Sequence, residues 1–465
     1  MQACLDSYQA QGIDLSAYNS VENAEDVNSI RETLGYDKIF YYGESYGTLL
    51  GQYLLRSHPE ILDGIILDGI APATAARWTD VTNIPESFGR VFNACAADEA
   101  CNALYPDLEA KLAKAMAALK ANPASFTLSD GKGGGVDLKV DDTLAMNALF
   151  LNLYLSGGFA SIPDIVTKLS EGDYTPLNAT IPFYFANSSV ARGMHLAIAC
   201  SDDPVGSVDD LNLDVADAYK ALILDDADSY LTACPMLGVP HMPDSSDELV
   251  KSDVPALLLQ GGLDPATPVE GGNNVQTGLP NSYNIVVPAG SHIQSNSDCI
   301  LNIMAAFMAD PRAEPDTSCI DQSIKFALPQ TVTIKNPDTG TAISMDLPAG
   351  FVPAGDNAWY NGQYQVYLFA FDSAKSVDQV AEESAAPLPV KLDVTDGPVI
   401  AGYPTKAVIG DLEVQGKRIG VNIYAFGDDK GVYKIVFNLA DSAQIEAFRA
   451  KDVPALLETV KVGGQ

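Results

Sequence analysis

One short passage restricts the fold of this chain more than any other. The apolar run KIFYYG at residues 38–43 passes directly into Gly43-Glu44-Ser45-Tyr46-Gly47, and then into the apolar segment TLLGQYLLR at 48–56. The first part suits a strand buried on both faces, and the last part carries an apolar helix. The five residues between them must turn the chain so tightly that small residues are expected at 43 and 47, with Ser45 projecting from the bend. Upstream, NAEDVNSIRETL at 23–34 has Val27, Ile30 and Leu34 at helical spacing and Gly35 as a stop signal. Downstream, ILDGIILD at 61–68 reads as a second buried strand of parallel type. Helix, strand, sharp turn, helix, strand is the order that builds an α/β sheet.

The same grammar returns late in the chain. Between residues 76 and 245 the pattern is mainly helical, as at 107–119, 142–155 and 211–224, with Asp-, Ser-, Pro- and Gly-rich loops and no sustained strand alternation. This stretch reads as an inserted helical cap. The sheet resumes with VPALLLQ at 254–260 and YNIVV at 283–287, followed by a closing helix at 300–308. The core is therefore expected at 1–75 and 246–325. Beyond Cys319 the texture changes to alternating strands at 331–334, 363–371 and 391–394. The segments 419–426 and 432–437 flank a GDDKG turn and read as a hairpin. Asp441 with Gln444 can cap a short helix, and 452–460 supplies another. These elements predict a separate α+β domain at 328–465, which contains neither histidine nor cysteine.

A serine on a strand-to-helix bend becomes a nucleophile when a base and an acid follow it, and in this architecture their chain order is Ser, Asp, His. After the strand ending at Gln260 comes GGLDPATP, which places Asp264 in a glycine-rich turn at a strand's carboxyl end. After the next strand comes PAGSH, which places His292 on the loop before the last helix. The chain has 4 histidines. His58 follows the elbow helix at the wrong end of the sheet, and His195 and His241 fall in the cap. His292 is thus the expected base and Asp264 its orienter, in preference to Asp298 inside the closing helix. The Tyr46 N–H, at a helix N-terminus, is the expected oxyanion donor. A second donor loop, expected after an earlier strand, is not found.

The chain has 61 acidic against 27 basic residues and a formal charge of -34. Such a surface repels nucleic acid and anionic lipid, while a cationic group such as a free peptide amine is steered favourably. No apolar run reaches transmembrane length. The 7 cysteines form no CxxC pairs of a zinc site, and neither metal nor cofactor is expected. Spacing suggests disulfides Cys95 with Cys101, Cys200 with Cys234 and Cys299 with Cys319, leaving Cys4. Disulfides indicate an extracellular or cell-envelope protein, yet MQACLDSYQA is not a signal peptide. The expectation that reconciles the two is a natural chain with residues upstream of Met1, carrying the export signal, the first strands and the second oxyanion donor.

The sequence resembles the secreted tripeptidyl aminopeptidase and proline iminopeptidase-like group of α/β-hydrolases, including their TAP-like C-terminal region. The matching pieces are Tyr18 with Asp26, RETLGY, YYGESYGTLLGQYLLRSHPE, ILDGIILDG, the Cys95/Cys101 loop with YPD, and AIACSDD at 197–203. They continue with VPALLLQGGLDPATPVEGG, VVPAGSH and the pair Cys299 and Cys319, so that the likeness spans residues 1 to 325. It implies an α/β-hydrolase sheet short of its first strands, with a helical cap, and Ser45, Asp264 and His292 as nucleophile, acid and base. It also implies release of short peptides or residues from a free amino end. Two departures stand out: the family's glycine-rich oxyanion loop is missing, and CPMLGVP follows Cys234 where the family often has tryptophan. GESY also resembles serine carboxypeptidases, in which the equivalent of Glu44 binds a substrate carboxylate; the blander reading is a solvated or packing glutamate. An esterase or amidase with the same triad, or an inactive binding protein, are the competing functions.

Overall fold

The computed structural model describes residues 1–75, 83–129, 135–181, 190–203, 206–361, 364–371, 375–414, 417–439 and 445–464. The chain divides into two compact units, one of residues 1–122, 141–172 and 183–325, the other of residues 123–140, 173–182 and 326–465.

The first unit contains the α/β-hydrolase sheet. It opens with α1 (Gln2–Ala10) and α2 (Ser20–Leu34), the latter capped by the Asn19 side chain and ended by Gly35 at φ 76°. Next come β1 (Ile39–Glu44), α3 (Tyr46–Ser57) and β2 (Leu62–Asp68). An insertion of helices follows, with α4 (Asn83–Ala97), α5 (Glu99–Leu104), α6 (Leu108–Ala121), α7 (Asp142–Tyr154), α8 (Ile162–Ser170), α9 (Arg192–Asp202) and α10 (Asp217–Leu237). The sheet is completed by segments Ala256–Gly261 and Ser282–Val287, with α11 (Val269–Gln276) between them and α12 (Asp298–Ala309) after them.

The four strands are parallel, in the chain order just given. Alternation along them divides the core in two. Ile65, Leu67 and Leu258 pack on one face with Leu54, Leu55 and Val275 from α3 and α11. Ile66, Leu257 and Leu259 pack on the other with Ile300, Ile303 and Phe307 from α12. A helix layer on each face is the solution for strands that are apolar throughout. β1 departs from expectation: Phe40 and Tyr42 are 36% and 40% exposed, because among the described residues β1 is an edge strand that pairs with β2 alone.

The second unit includes a hairpin that the sequence reading did not anticipate, β3 (Ala124–Ser129) and β4 (Gly135–Val140). Alternation in ASFTLS and GVDLKV lasts six residues, too briefly to stand out from flanking helical patterns. In the C-terminal part, β7 (Gln330–Lys335) and β8 (Thr341–Leu347) belong to a three-stranded sheet, where β5 and β6 are the segments at 256–261 and 282–287 above. A seven-stranded sheet is built around Tyr364–Phe371, Thr405–Val414, Lys417–Asp428 and Gly431–Leu439. The two sheets share a core that includes Ile343, Met345, Val366, Phe426 and Phe437, to which Phe448 and Leu456 contribute. The predicted hairpin of 419–426 and 432–437 is present as Lys417–Asp428 and Gly431–Leu439, and the 452–460 helix occurs as Val453–Glu458. The segment expected as a strand at 391–394 pairs instead at Val394–Asp396. Gln363, Asp441 and Gln444 lie outside the described residues.

Three disulfides join the cysteines paired by spacing, Cys95–Cys101, Cys200–Cys234 and Cys299–Cys319, and Cys4 is free and exposed. Among the described residues no helix is long and apolar enough to cross a membrane. Phe307 is fully buried beneath the sheet, with its ring 6.5 Å from that of Phe40. Phe307→Ala should cost about 3–5 kcal/mol by leaving a cavity; urea unfolding of the two proteins measures the difference.

Candidate active site

Ser45 sits between β1 and α3 with φ 52° and ψ -118°, a strained backbone for a residue with a side chain. Its N–H donates to the carbonyl of Asp68 at 2.9 Å, which extends the β1–β2 pairing through the bend. A Cβ at Gly43 would lie 2.3 Å from the Gly47 carbonyl oxygen, so strand and helix meet there with no room for a side chain. Gly47 itself has space, since a Cβ would meet only the Tyr41 hydroxyl at 3.6 Å. The expected size limit therefore holds at 43 and not at 47. A second close approach lies one turn into α3, where a Cβ on Gly51 would come within 2.8 Å of Leu67.

Asp264 and His292 come together three and five residues beyond their strands. The Nδ1 of His292 is 2.8 Å from Oδ2 of Asp264, and both side chains are almost completely buried, 1% and 0% exposed. A carboxylate without water must have its lone pairs filled, and those of Asp264 are. Oδ1 accepts from the N–H groups of Ala266 (2.8 Å) and Thr267 (2.9 Å), and Oδ2 accepts from the Thr267 hydroxyl (2.6 Å) as well as meeting the imidazole. This arrangement requires the proton on Nδ1 and leaves Nε2 as an acceptor. Nε2 is buried and has no hydrogen-bond partner among the described residues. The ring packs against Tyr154 at the end of α7, 4.4 Å between centroids, and the His292 N–H donates to the Tyr154 carbonyl. Burial pushes the Tyr154 hydroxyl up to about 12.

The imidazole lies close to the elbow. Gly69, next to the residue that binds the Ser45 N–H, has φ 69°, and a Cβ there would be 3.1 Å from Cε1 of His292. A cavity of about 930 Å³ opens at Ser45 and Tyr46. Leu49, Ile70, Pro72, Met194 and Ile198 give it apolar walls, while Glu86, Asn274 and His195 add polar groups. Tyr46 begins α3, where a backbone N–H has no partner within the helix, and its hydroxyl is held by Ser20 (3.0 Å) and Asn23 (2.7 Å).

Of the other candidates, His195 lines the cavity and bonds Tyr230, while His58 bonds Glu25, His241 is exposed, and Asp298 is exposed in the first turn of α12. Glu44 is exposed and accepts from the Tyr42 hydroxyl at 2.5 Å. Among the described residues no group of His, Cys, Asp or Glu could hold a metal ion. Sequence reasoning missed Thr267 and Tyr154. Thr267 stands one turn after Asp264 and could have been sought there, whereas nothing in the spacing marks Tyr154, 138 residues before His292.

A model of the alpha/beta hydrolase fold matches residues 6–132, and a model of the TAP-like protein family matches residues 220–319. The chain therefore carries an alpha/beta-hydrolase fold with a TAP-like segment. It is 26% identical over 289 residues to the serine protease Hip1 of Mycobacterium tuberculosis and of Mycobacterium bovis, an alignment that covers 58% of this chain and 55% of theirs. The chain thus spans about half the length of the curated relatives it matches. A solved α/β hydrolase from a Medee basin deep-sea metagenome library aligns over 65% of this chain and 75% of its own, at 12% identity and a TM-score of 0.29.

Two substitutions test the local geometry. Gly43→Ala should prevent folding, while Gly47→Ala should melt close to the parent, as circular dichroism will read. Thr267→Val strips one donor from a buried carboxylate and should lower stability by about 1–3 kcal/mol in denaturant titration.

Proposed function

We propose that this α/β hydrolase is an exported serine aminopeptidase that releases short peptides or single residues from the free amino end of peptides. The observation that carries the reading is the buried Asp264–His292 pair, with its unpartnered Nε2, beside the strained Ser45 elbow. In the proposed cycle Nε2 takes the Ser45 proton as Oγ attacks the scissile carbonyl. Asp264 holds the tautomer and stabilises the imidazolium that results. The negative oxygen of the tetrahedral intermediate is met by the Tyr46 N–H. The imidazolium then protonates the leaving amine, an acyl-enzyme remains, and water repeats the sequence to free the acid and restore Ser45.

The net charge of -34 supports a substrate with a free ammonium group. The three disulfides support an extracellular or cell-envelope location. A second reading, an esterase or amidase using the same residues, is favoured by the apolar walls of the cavity at Ser45.

An active-site phosphonate should label Ser45 in the folded protein, and Ser45→Ala should abolish labelling. His292→Ala and Asp264→Asn should each lower kcat by about 10³-fold or more. Peptide anilides with free and blocked amino ends separate the two readings. Preference for the free substrate supports the aminopeptidase, equal or better turnover of the blocked one supports the esterase or amidase, and folded protein without labelling removes both.

A further inference from the structure

Asp68 ends β2 and is fully buried, yet the proposed cycle gives it no role. Its two ends face the two halves of the site. Its carbonyl oxygen accepts the N–H of Ser45 at 2.9 Å. Its carboxylate receives the loop that carries His292: the N–H of Gln294 lies 2.8 Å from Oδ1 and 2.9 Å from Oδ2, and the N–H of Ser295 lies 2.9 Å from Oδ2. Between His292 and those donors stands Ile293 at φ 68°, a left-handed conformation that a β-branched residue adopts only when its surroundings impose it. That turn points two successive N–H groups to one place, the concave anion cradle of a backbone nest. Here the anion is supplied from the strand beside the nucleophile.

We propose that Asp68 is a positioning residue that fixes the His292 loop to the Ser45 elbow, its carbonyl holding one and its carboxylate the other. The proposal rests on the reading of Ser45 and His292 as nucleophile and base. Among the described residues the Asp68 carboxylate is what accepts the two inward N–H groups, so without it the Ile293 turn loses what holds it. The imidazole would then sample positions away from the elbow, and the loss falls on the chemical step more than on substrate binding, because Asp68 does not line the cavity at Ser45.

Protonation of Asp68 would weaken the clasp in the same way. Burial pushes its carboxyl up to about 6, against the opposing pull of the Gln294 and Ser295 N–H groups. Glu44 on β1 raises it further and His292 lowers it, while the Tyr42 hydroxyl is 3.4 Å from Oδ2. Activity would therefore need two groups deprotonated, His292 and Asp68, and the acid limb of log kcat against pH would steepen beyond one proton.

The experiment is Asp68→Asn in the whole chain, which keeps the size and removes the charge and one acceptor oxygen. In folded variant, kcat should fall about 10- to 100-fold with KM nearly unchanged, the size expected for a misplaced catalytic group, and the acid limb should return to one proton. Amide exchange at Gln294 and Ser295 should quicken and the His292 ring resonances should shift in NMR spectra. Unchanged kcat and unchanged acid limb would overturn the proposal, as would unchanged exchange and ring resonances. The last two readouts need no turnover, so they decide the clasp even if the parent protein neither labels nor hydrolyses, a result that would end the proposed function alone. If the variant does not fold, the parent is titrated from pH 8 to 4.5. Exchange at 294 and 295, corrected for its intrinsic pH dependence, should rise as the Asp68 carboxyl carbon titrates, and independence of the two overturns the clasp.

Discussion

The contact on which the site depends is the hydrogen bond between Asp264 and His292. Burying a carboxylate without partners is prohibitively costly, so a side chain with no exposure dictates everything around it. Asp264 draws in two backbone N–H groups from its own turn, the Thr267 hydroxyl and the imidazole, and these fill both oxygens. The turn PATP is therefore shaped by its carboxylate. With Nδ1 committed to Asp264, the acceptor of the neutral ring is Nε2, which is buried and has no hydrogen-bond partner among the described residues. A buried polar atom left so is an energetic cost that structure alone does not explain, and a reacting hydroxyl would relieve it.

Rigidity around that pair comes from several directions. Tyr154 presses on one face of the ring and its carbonyl takes the His292 N–H, while Gly69 allows β2 to approach the ring edge. Strain at Ser45 and at Ile293 brackets the arrangement, and each strained residue is secured by a bond to Asp68 or to the residues that Asp68 holds. Positive φ at two non-glycine residues costs of the order of 1–3 kcal/mol each, which the surrounding hydrogen bonds must offset.

Much of this was legible in the sequence. The elbow could be read because strand, small residue, serine and helix occur in one unbroken passage, and Asp264 and His292 because each follows an apolar strand run within five residues. Burial of β1 was misread because an apolar run reports only that a strand can be covered, whereas its position at the sheet edge is a property of topology. The β3–β4 hairpin was missed because six alternating residues carry little signal between strong helical patterns. Asp68 escaped for a different reason. Short polar residues at strand ends are common, and only the three-dimensional path of the backbone shows which of them faces a buried donor.

Topology explains why so few residues suffice. In a wholly parallel sheet every strand has its carboxyl end on the same side, so loops from distant parts of the sequence converge there without any further device. Ser45 follows β1, Asp68 ends β2, and Asp264 and His292 follow the strands at 256–261 and 282–287. The register of the hydrogen-bonded strands then sets the height of each side chain above the sheet. A residue at the end of β2, between the strand that leads to Ser45 and the strand that precedes Asp264, can reach the elbow with its carbonyl and the His292 loop with its side chain. Asp68 is that residue, and its backbone and carboxylate bonds follow from that position.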